Sequence, residues 1–416
     1  LGLDRNGLPI EMAAEKRFGV GMHDVSREQF LEMCKKLLEE SSAESITTFL
    51  RLGISFNSWK VGSGIGDIYL TDSEEYRAMT QSTFIHLWKK GLVYEDDRVN
   101  NYCPGCRTTI ADAEVDYEEK PVLFSDIKFS LKNGGEIVIG TTRPELLCTC
   151  AMIIFHPDDE RYKKLEGKKA VTPLFDKEVP IKAHTIADPE KGTGLAMMCA
   201  FGDQADIRFF REMGIAPVIA IDESGRMNKN AGFLEGLTVR EAREKVLEKL
   251  KESNLLVSQK RVMHRTPICE RSKDAIEFVS MKEFYLKQVE FKDDMLNLIE
   301  KINFYAPASK KILTDWINSV SIDWPLSRRR YYATEIPLWY CAECSHPFVP
   351  EPGHYYQPWR ESPPVKQCSK CGCKHFRGEE RVFDTWFDSS SSWMHIMKWH
   401  EDEEFFKKSK PASLRP

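Results

Sequence analysis

The stretch PVLFSDIKFSLKNGGEIVIGTTRPE, Pro121 to Glu145, decides how this chain is read. Two short β-rich runs, VLFSDIKFS and EIVIG, flank Asn133-Gly134-Gly135, a turn signal that predicts a hairpin. Thr141, Thr142, Arg143, Pro144 and Glu145 follow at once. A buried strand has little use for such a cluster, so it forms either a polar turn or the lining of a site for a polar ligand. AMIIF and APVIAI continue the β texture, and Thr238 with Glu241 predicts a capped helix over VREAREKVLEKLKESN. A β-rich module is therefore expected over 121–262.

Outward from it the texture changes. Upstream, Ser26 with Gln29 predicts a capping box ahead of FLEMCKKLLEESSAESITTFLRLG, and Thr71 with Glu74 another ahead of YRAMTQSTFIHLWKKG; Gly53 and Gly91 are the expected stops. Downstream come an amphipathic KDDMLNLIEKI, then DWPLSRRRYYATEIPLWYC, a cysteine-rich loop and RVFDTWFDSSSSWMHIMKWH. The expected fold is α/β, with 1–120 and 263–416 sharing one core that 121–262 interrupts.

The 416 residues suit two or three domains, and 42% hydrophobic with 30% charged residues describes a soluble globular chain. No apolar run approaches the roughly 18 residues of a membrane span, and LGLDRNGLPIE carries no signal-peptide core. A cytoplasmic protein without membrane partners is expected. The formal charge of -5 gives no general pull toward nucleic acid, which leaves local patches such as Arg328, Arg329 and Arg330 to meet phosphates or to form a solvated face.

Of twelve cysteines, six form three C-x-x-C pairs. Cys341 and Cys344, then 23 residues, then Cys368 and Cys371 is a zinc-ribbon pattern, expected to fill 340–376, with Cys373 and His375 as alternative ligands. Cys103 and Cys106 make half a site, with Cys269 as a third ligand; because Ser272 stands where a fourth cysteine would complete it, either His264 is the fourth ligand or the site is weakened or lost. Cys34, Cys148, Cys150 and Cys199 lie in apolar contexts and read as small hydrophobes.

DRNGLPIE, NYCPGCRTTIADAEVDY, TTRPE with HPDDERY, EKGTG, DWPLSRRRYYATEIPLWYC and VFDTWFDSS occur in an order that resembles class Ia aminoacyl-tRNA synthetases of the valine, isoleucine and leucine group. The resemblance spans nearly the whole chain. TTRPE with HPDDERYKKLEGKK, ADPEKGTG and PASLRP is most similar to the valine branch. It implies a split Rossmann-like catalytic core interrupted by an editing (CP1) domain, plus the zinc ribbon. It implies tRNA, valine and ATP with magnesium as partners and substrates, zinc as a bound metal, and a monomer. The family's two ATP signatures, His-Ile-Gly-His and Lys-Met-Ser-Lys-Ser, do not occur, so the chain is expected to be an internal fragment that does not aminoacylate alone.

Residue by residue, the resemblance implies Asp4 for the substrate ammonium, Asn6 and Gly7 beside it, and Trp386 with Asp384 near the same cleft. The family's pocket-wall Trp falls at Tyr332, and Ala333 stands where a Gly usually follows. A hydrophobic pocket cannot strongly reject an isostere that exchanges a methyl for a hydroxyl, so a second, hydrolytic site against threonyl-tRNA is implied. Thr141, Thr142, Arg143 and Glu145 would hold the ester and terminal adenosine, with Asp203 or Asp206 for the free ammonium. Leu146 stands where a Thr is usual. No Ser-His-Asp or Cys-His arrangement is evident, so attack by water is expected.

Overall fold

The computed structural model describes residues 1–54, 68–111, 114–320, 322–399 and 402–408. The chain divides into an inserted unit, 97–282, and an outer unit made of 1–96 with 283–416. The expected limits at 121 and 262 fall inside two long strands, Val115–Leu131 and Leu256–Cys269, which pair antiparallel from Val115 with Cys269 to Ile127 with Leu256. Composition changes at Pro121, but the backbone ladder begins earlier.

In the inserted unit the hairpin forms as its turn dictates. Leu131 N–H donates to Gly135 O at 2.9 Å, Gly134 and Gly135 take φ of 89° and 99°, and Glu136–Thr141 pairs back onto Ser125–Ser130. The sheet runs Leu195–Met198, Met152–Phe155, Glu178–Ala183, Lys169–Val171, Val115–Leu131, Leu256–Cys269. Alternate residues Ile127, Phe129, Ile137 and Ile139 point into its core, where they meet Val246 and Leu250 of the helix Val239–Glu252. That helix buries Val239, Ala242, Val246 and Leu250, one face at helical spacing, and Thr238 and Glu241 cap it reciprocally as expected.

APVIAI does not form a strand. Among the described residues it makes a single bridge, Ile221 with Met227, and Pro217 removes a ladder donor. The strands Lys169–Val171, Glu178–Ala183 and Leu195–Met198 arise instead from runs too short or too polar to stand out.

In the outer unit the helix Arg27–Arg51 starts at the Ser26/Gln29 capping box. The helix Glu74–Lys89 is capped by Ser73, whose side chain accepts from Tyr76 N–H, and not by Thr71. Thr71 Oγ1 is used elsewhere: it donates to Asp4 Oδ1 at 3.0 Å and accepts from Arg5 N–H at 2.8 Å. Gly2–Leu3 pairs parallel with Tyr69–Leu70. Trp339–Cys341 sits between Pro347–Phe348 and Phe376–Gly378 in a three-stranded antiparallel sheet. Among the described residues no helix is long and apolar enough to cross a membrane.

Candidate functional site

At the end of the strand Glu136–Thr141 the chain turns through a short helical segment, Pro144–Thr149, opened by Pro144, whose missing N–H costs nothing at that position. Thr141 Oγ1 accepts from Arg143 N–H at 2.9 Å and so fixes the turn's entry. Arg143 Nε donates to Glu145 Oε1 at 2.6 Å and Arg143 Nη2 to Glu277 Oε2 at 2.5 Å. Glu145 is fully buried and also takes two bonds from Arg243, Nε to Oε2 at 2.9 Å and Nη2 to Oε1 at 2.7 Å. Burial opposes its charge, yet Arg143 and Arg243 outweigh it and hold the carboxyl below its ordinary range. Glu277, which shares Arg143 with Glu145, is pushed up by burial.

The second half of the expected site lies against this turn. A side chain added at Gly202 would stand 3.5 Å from Leu146 Cδ1 and 4.0 Å from Arg143 Cγ, so the loop before the helix Gln204–Met213 passes over Arg143. The two candidate carboxylates divide there. Asp203 is exposed and caps that helix through Ala205 and Asp206 N–H. Asp206 is buried, with Oδ1 accepting from Cys199 N–H at 3.0 Å and Oδ2 from Gly202 N–H at 2.8 Å. Burial, and then Asp203, push its carboxyl up to about 7. Asp206 braces the loop; Asp203 is the one that solvent reaches.

The EKGTG turn joins them through Phe124. A Cβ at Gly140 would come within 2.3 Å of its ring and one at Gly192 within 2.8 Å, so only glycines admit the ring between the strand end and the turn. Tyr162 of HPDDERY donates to Thr193 O at 2.6 Å. Leu146, where a hydroxyl was expected, is fully buried in the core and meets the loop at Gly202 with a methyl group, so it offers no donor there. Cys148, Cys150 and Cys199 are buried, and burial lifts the Cys148 thiol to about 12, which suits packing and not attack.

In the outer unit the DRNG residues are gathered by Thr71 and Arg77. Asn6 Nδ2 donates to Thr71 O at 2.9 Å and Asn6 Oδ1 accepts from Arg77 Nη2 at 2.8 Å. Gly7 takes φ of 91°, donates to Tyr332 O at 2.7 Å, and leaves no room for a side chain against Thr385 Oγ1. Burial lifts the Asp4 carboxyl above its ordinary value against the Thr71 and Asn6 hydrogen bonds, a setting in which an incoming cation would restore the charge. Tyr332 is a core residue, its hydroxyl donating to Asp72 at 2.8 Å, whereas Trp386 is 59% exposed. Arg328 and Arg330 are buried, so the three arginines do not form a solvated face. Arg328 pairs with Asp384 at 2.7 Å, Arg329 with Glu283 at 3.1 Å, and Arg330 with Glu11 and Glu15.

Both expected thiol clusters form. Cys341, Cys344, Cys368 and Cys371 place their sulfurs within 4.8 Å of one another, as do Cys103, Cys106 and Cys269. The Cys341–Cys371, Cys344–Cys368 and Cys106–Cys269 separations are 3.4, 3.6 and 3.7 Å. A tetrahedron with metal–sulfur bonds of about 2.3 Å has edges of about 3.8 Å, so both donor sets fit zinc. The backbone N–H of Cys344 draws the Cys341 thiol down to about 6, toward the thiolate a metal needs. Cys373 and His375 stay outside the first cluster, with Cys373 Sγ donating to His375 O. His264 stays outside the second: five residues up an extended strand from Cys269 it lies roughly 16 Å away. Ser272 Oγ instead stands 3.0 Å from Cys103 Sγ.

Arg243, Glu277, Thr71 and Arg77 were not singled out as site residues by sequence. Nothing local marks them, since each acts on a residue 65 or more positions away.

A profile of tRNA synthetases class I (I, L, M and V) matches residues 1–415. The chain is 46% identical over 416 residues to a valine–tRNA ligase of Pyrobaculum aerophilum, covering 99% of this chain and 51% of that protein. Identity to the valine–tRNA ligase of Aeropyrum pernix is 44% over 421 residues, covering 99% of this chain and 50% of that protein, and to that of Nanoarchaeum equitans 43% over 400 residues, covering 95% and 51%. The chain spans about half the length of the curated relatives it matches.

Proposed function

The chain belongs to the tRNA synthetases class I (I, L, M and V), and we propose that it is part of a valine–tRNA ligase in which the outer unit serves valine activation and the inserted unit hydrolyses mischarged threonyl-tRNA. The whole protein joins valine to its tRNA with ATP and magnesium, in the cytoplasm, as a monomer. The outer unit is the split Rossmann-like core with its zinc ribbon, and the inserted unit is the editing domain.

The observation that carries this reading is the seating of the loop before the helix Gln204–Met213 over Arg143, where a Cβ at Gly202 would meet Leu146 Cδ1 and Arg143 Cγ at van der Waals distance. Around that seam Thr141, Thr142 and Arg143 offer hydroxyl and guanidinium groups for the ester and terminal ribose, and exposed Asp203 offers a carboxylate for the free ammonium. Asp206 and Glu145 keep those groups in place. Water is the nucleophile, so rate comes from positioning and from donors aimed at the developing oxyanion. In the outer unit Asp4 takes the ammonium of valine, with Asn6 and Gly7 shaping the floor of the pocket and Tyr332 and Trp386 standing near it. Zinc held by Cys341, Cys344, Cys368 and Cys371, and a second ion held by Cys103, Cys106 and Cys269, would tie together loops that lack their own cores.

The test offers the protein threonyl-tRNA and valyl-tRNA of the valine isoacceptor. Faster loss of the threonyl ester is expected; equal, slow loss of both sinks the hydrolytic assignment. Elemental analysis should find two zinc equivalents, and a value near one rejects the Cys103, Cys106, Cys269 site.

A further inference from the structure

Arg243 lies on the helix Val239–Glu252, 98 positions from the Thr-Thr-Arg-Pro-Glu turn, and grips Glu145 through two parallel bonds. Such a fork fixes a carboxylate in its plane as well as in charge. Glu145 Oε1 then accepts Arg143 Nε, while Glu277 takes Arg143 Nη2. Two arginines and two carboxylates thus form a neutral quartet, and among the described residues Arg143 Nη1 has no protein partner. Arg143 remains 18% exposed, whereas Glu145 and Glu277 are 0% and 6% exposed.

We propose that Arg243 is a positioning residue for the hydrolytic site. It orients Glu145, Glu145 orients Arg143, and Arg143 presents its remaining N–H groups to the acyl ester or terminal ribose of the tRNA. This rests on the hydrolytic reading above. Without Arg243, two buried carboxylates share one arginine. They draw its guanidinium inward and burial favours protonation of one of them, so the presented edge is lost and the pH dependence changes. Lysine restores the charge without the fork.

The experiment measures threonyl-tRNA hydrolysis by the full-length protein and its R243Q and R243K variants across pH, with unfolding midpoints alongside. R243Q is expected to lower kcat/KM by about 10- to 100-fold, the scale of a misplaced contact group, and to displace the pH profile. R243K is expected to recover the wild-type profile and part of the rate. If the wild-type protein does not prefer the threonyl ester, the hydrolytic reading itself falls. If it does and R243Q matches it, Arg243 positions nothing. A loss that R243K does not relieve, with unshifted pH profiles and a lowered unfolding midpoint, makes Arg243 a structural strut and overturns the proposal equally.

Discussion

The outer and inserted units are built from the same chemical parts and complete them differently. In the outer unit four thiols close one cluster, and Arg328, Arg329 and Arg330 each end on a carboxylate. In the inserted unit three thiols meet the Ser272 hydroxyl, and Arg143 keeps part of its guanidinium exposed beside a crossing loop. The difference teaches where to look for chemistry: saturated clusters hold a fold, while a cluster with one open position and rigid neighbours can hold a ligand.

The largest effect is expected at the four-thiol cluster, where the proposed zinc would supply the saturation. Zinc binding in small modules is worth ~10–16 kcal/mol in apparent folding free energy. C344A should therefore unfold the sheet around Trp339–Cys341, seen as lost amide protection at Ala342 and lost zinc, while C103A leaves the paired ladder of the inserted unit protected. Equal protection in both variants would erase the contrast between the clusters.

R330M comes next. It leaves Glu11 fully buried with the backbone N–H groups of Tyr331 and Tyr332 but without its cation, at a cost of about 3–5 kcal/mol by denaturant unfolding. A change under about 1 kcal/mol would mean that the two backbone donors suffice.

The buried carboxyls carry the comparison into pH. Asp206 in the inserted unit and Asp388 in the outer unit are each pushed up to about 7, in both cases first by burial. The folded state then holds a proton that the unfolded chain releases near its ordinary value of 3.8. Stability from each is full below that value and is lost as pH rises through about 7. D206N removes this slope but also one of two backbone hydrogen bonds, costing about 1–3 kcal/mol at low pH. D388N should cost least, ~1 kcal/mol or less. Asp388 Oδ1 accepts from Thr334 at 2.6 Å, whereas Oδ2 makes no hydrogen bond of ordinary geometry and neither does Thr80 Oγ1 beside it. Thermal melts across this range check both; an unchanged slope in either variant assigns the titration to another group.

What could be read in advance followed the range of the interaction. The capping boxes at Ser26 and Thr238 were legible because donor and acceptor stand three residues apart. Thr71 was misread as a cap because Ser73 offers the same chemistry two residues later, and the Thr71 hydroxyl is claimed by Asp4 at a separation of 67. The polar cluster after the EIVIG strand was legible as a candidate site, but not the partners that set its geometry. That Trp386 is exposed and Tyr332 buried in a core could not be told from their neighbours in sequence.

Sequence alone determined the Asn133-Gly134-Gly135 hairpin, the helix caps and the C-x-x-C knuckles, because each is settled by backbone geometry within about four residues. Only the tertiary structure decided that Ser272 and not His264 lies beside the second thiol cluster, that Asp206 braces while Asp203 faces solvent, and that Glu145 belongs to Arg243. The physical reason is desolvation. A buried charge or thiolate must be partnered, and the partner is whichever group the packed chain brings alongside, at any distance along the sequence.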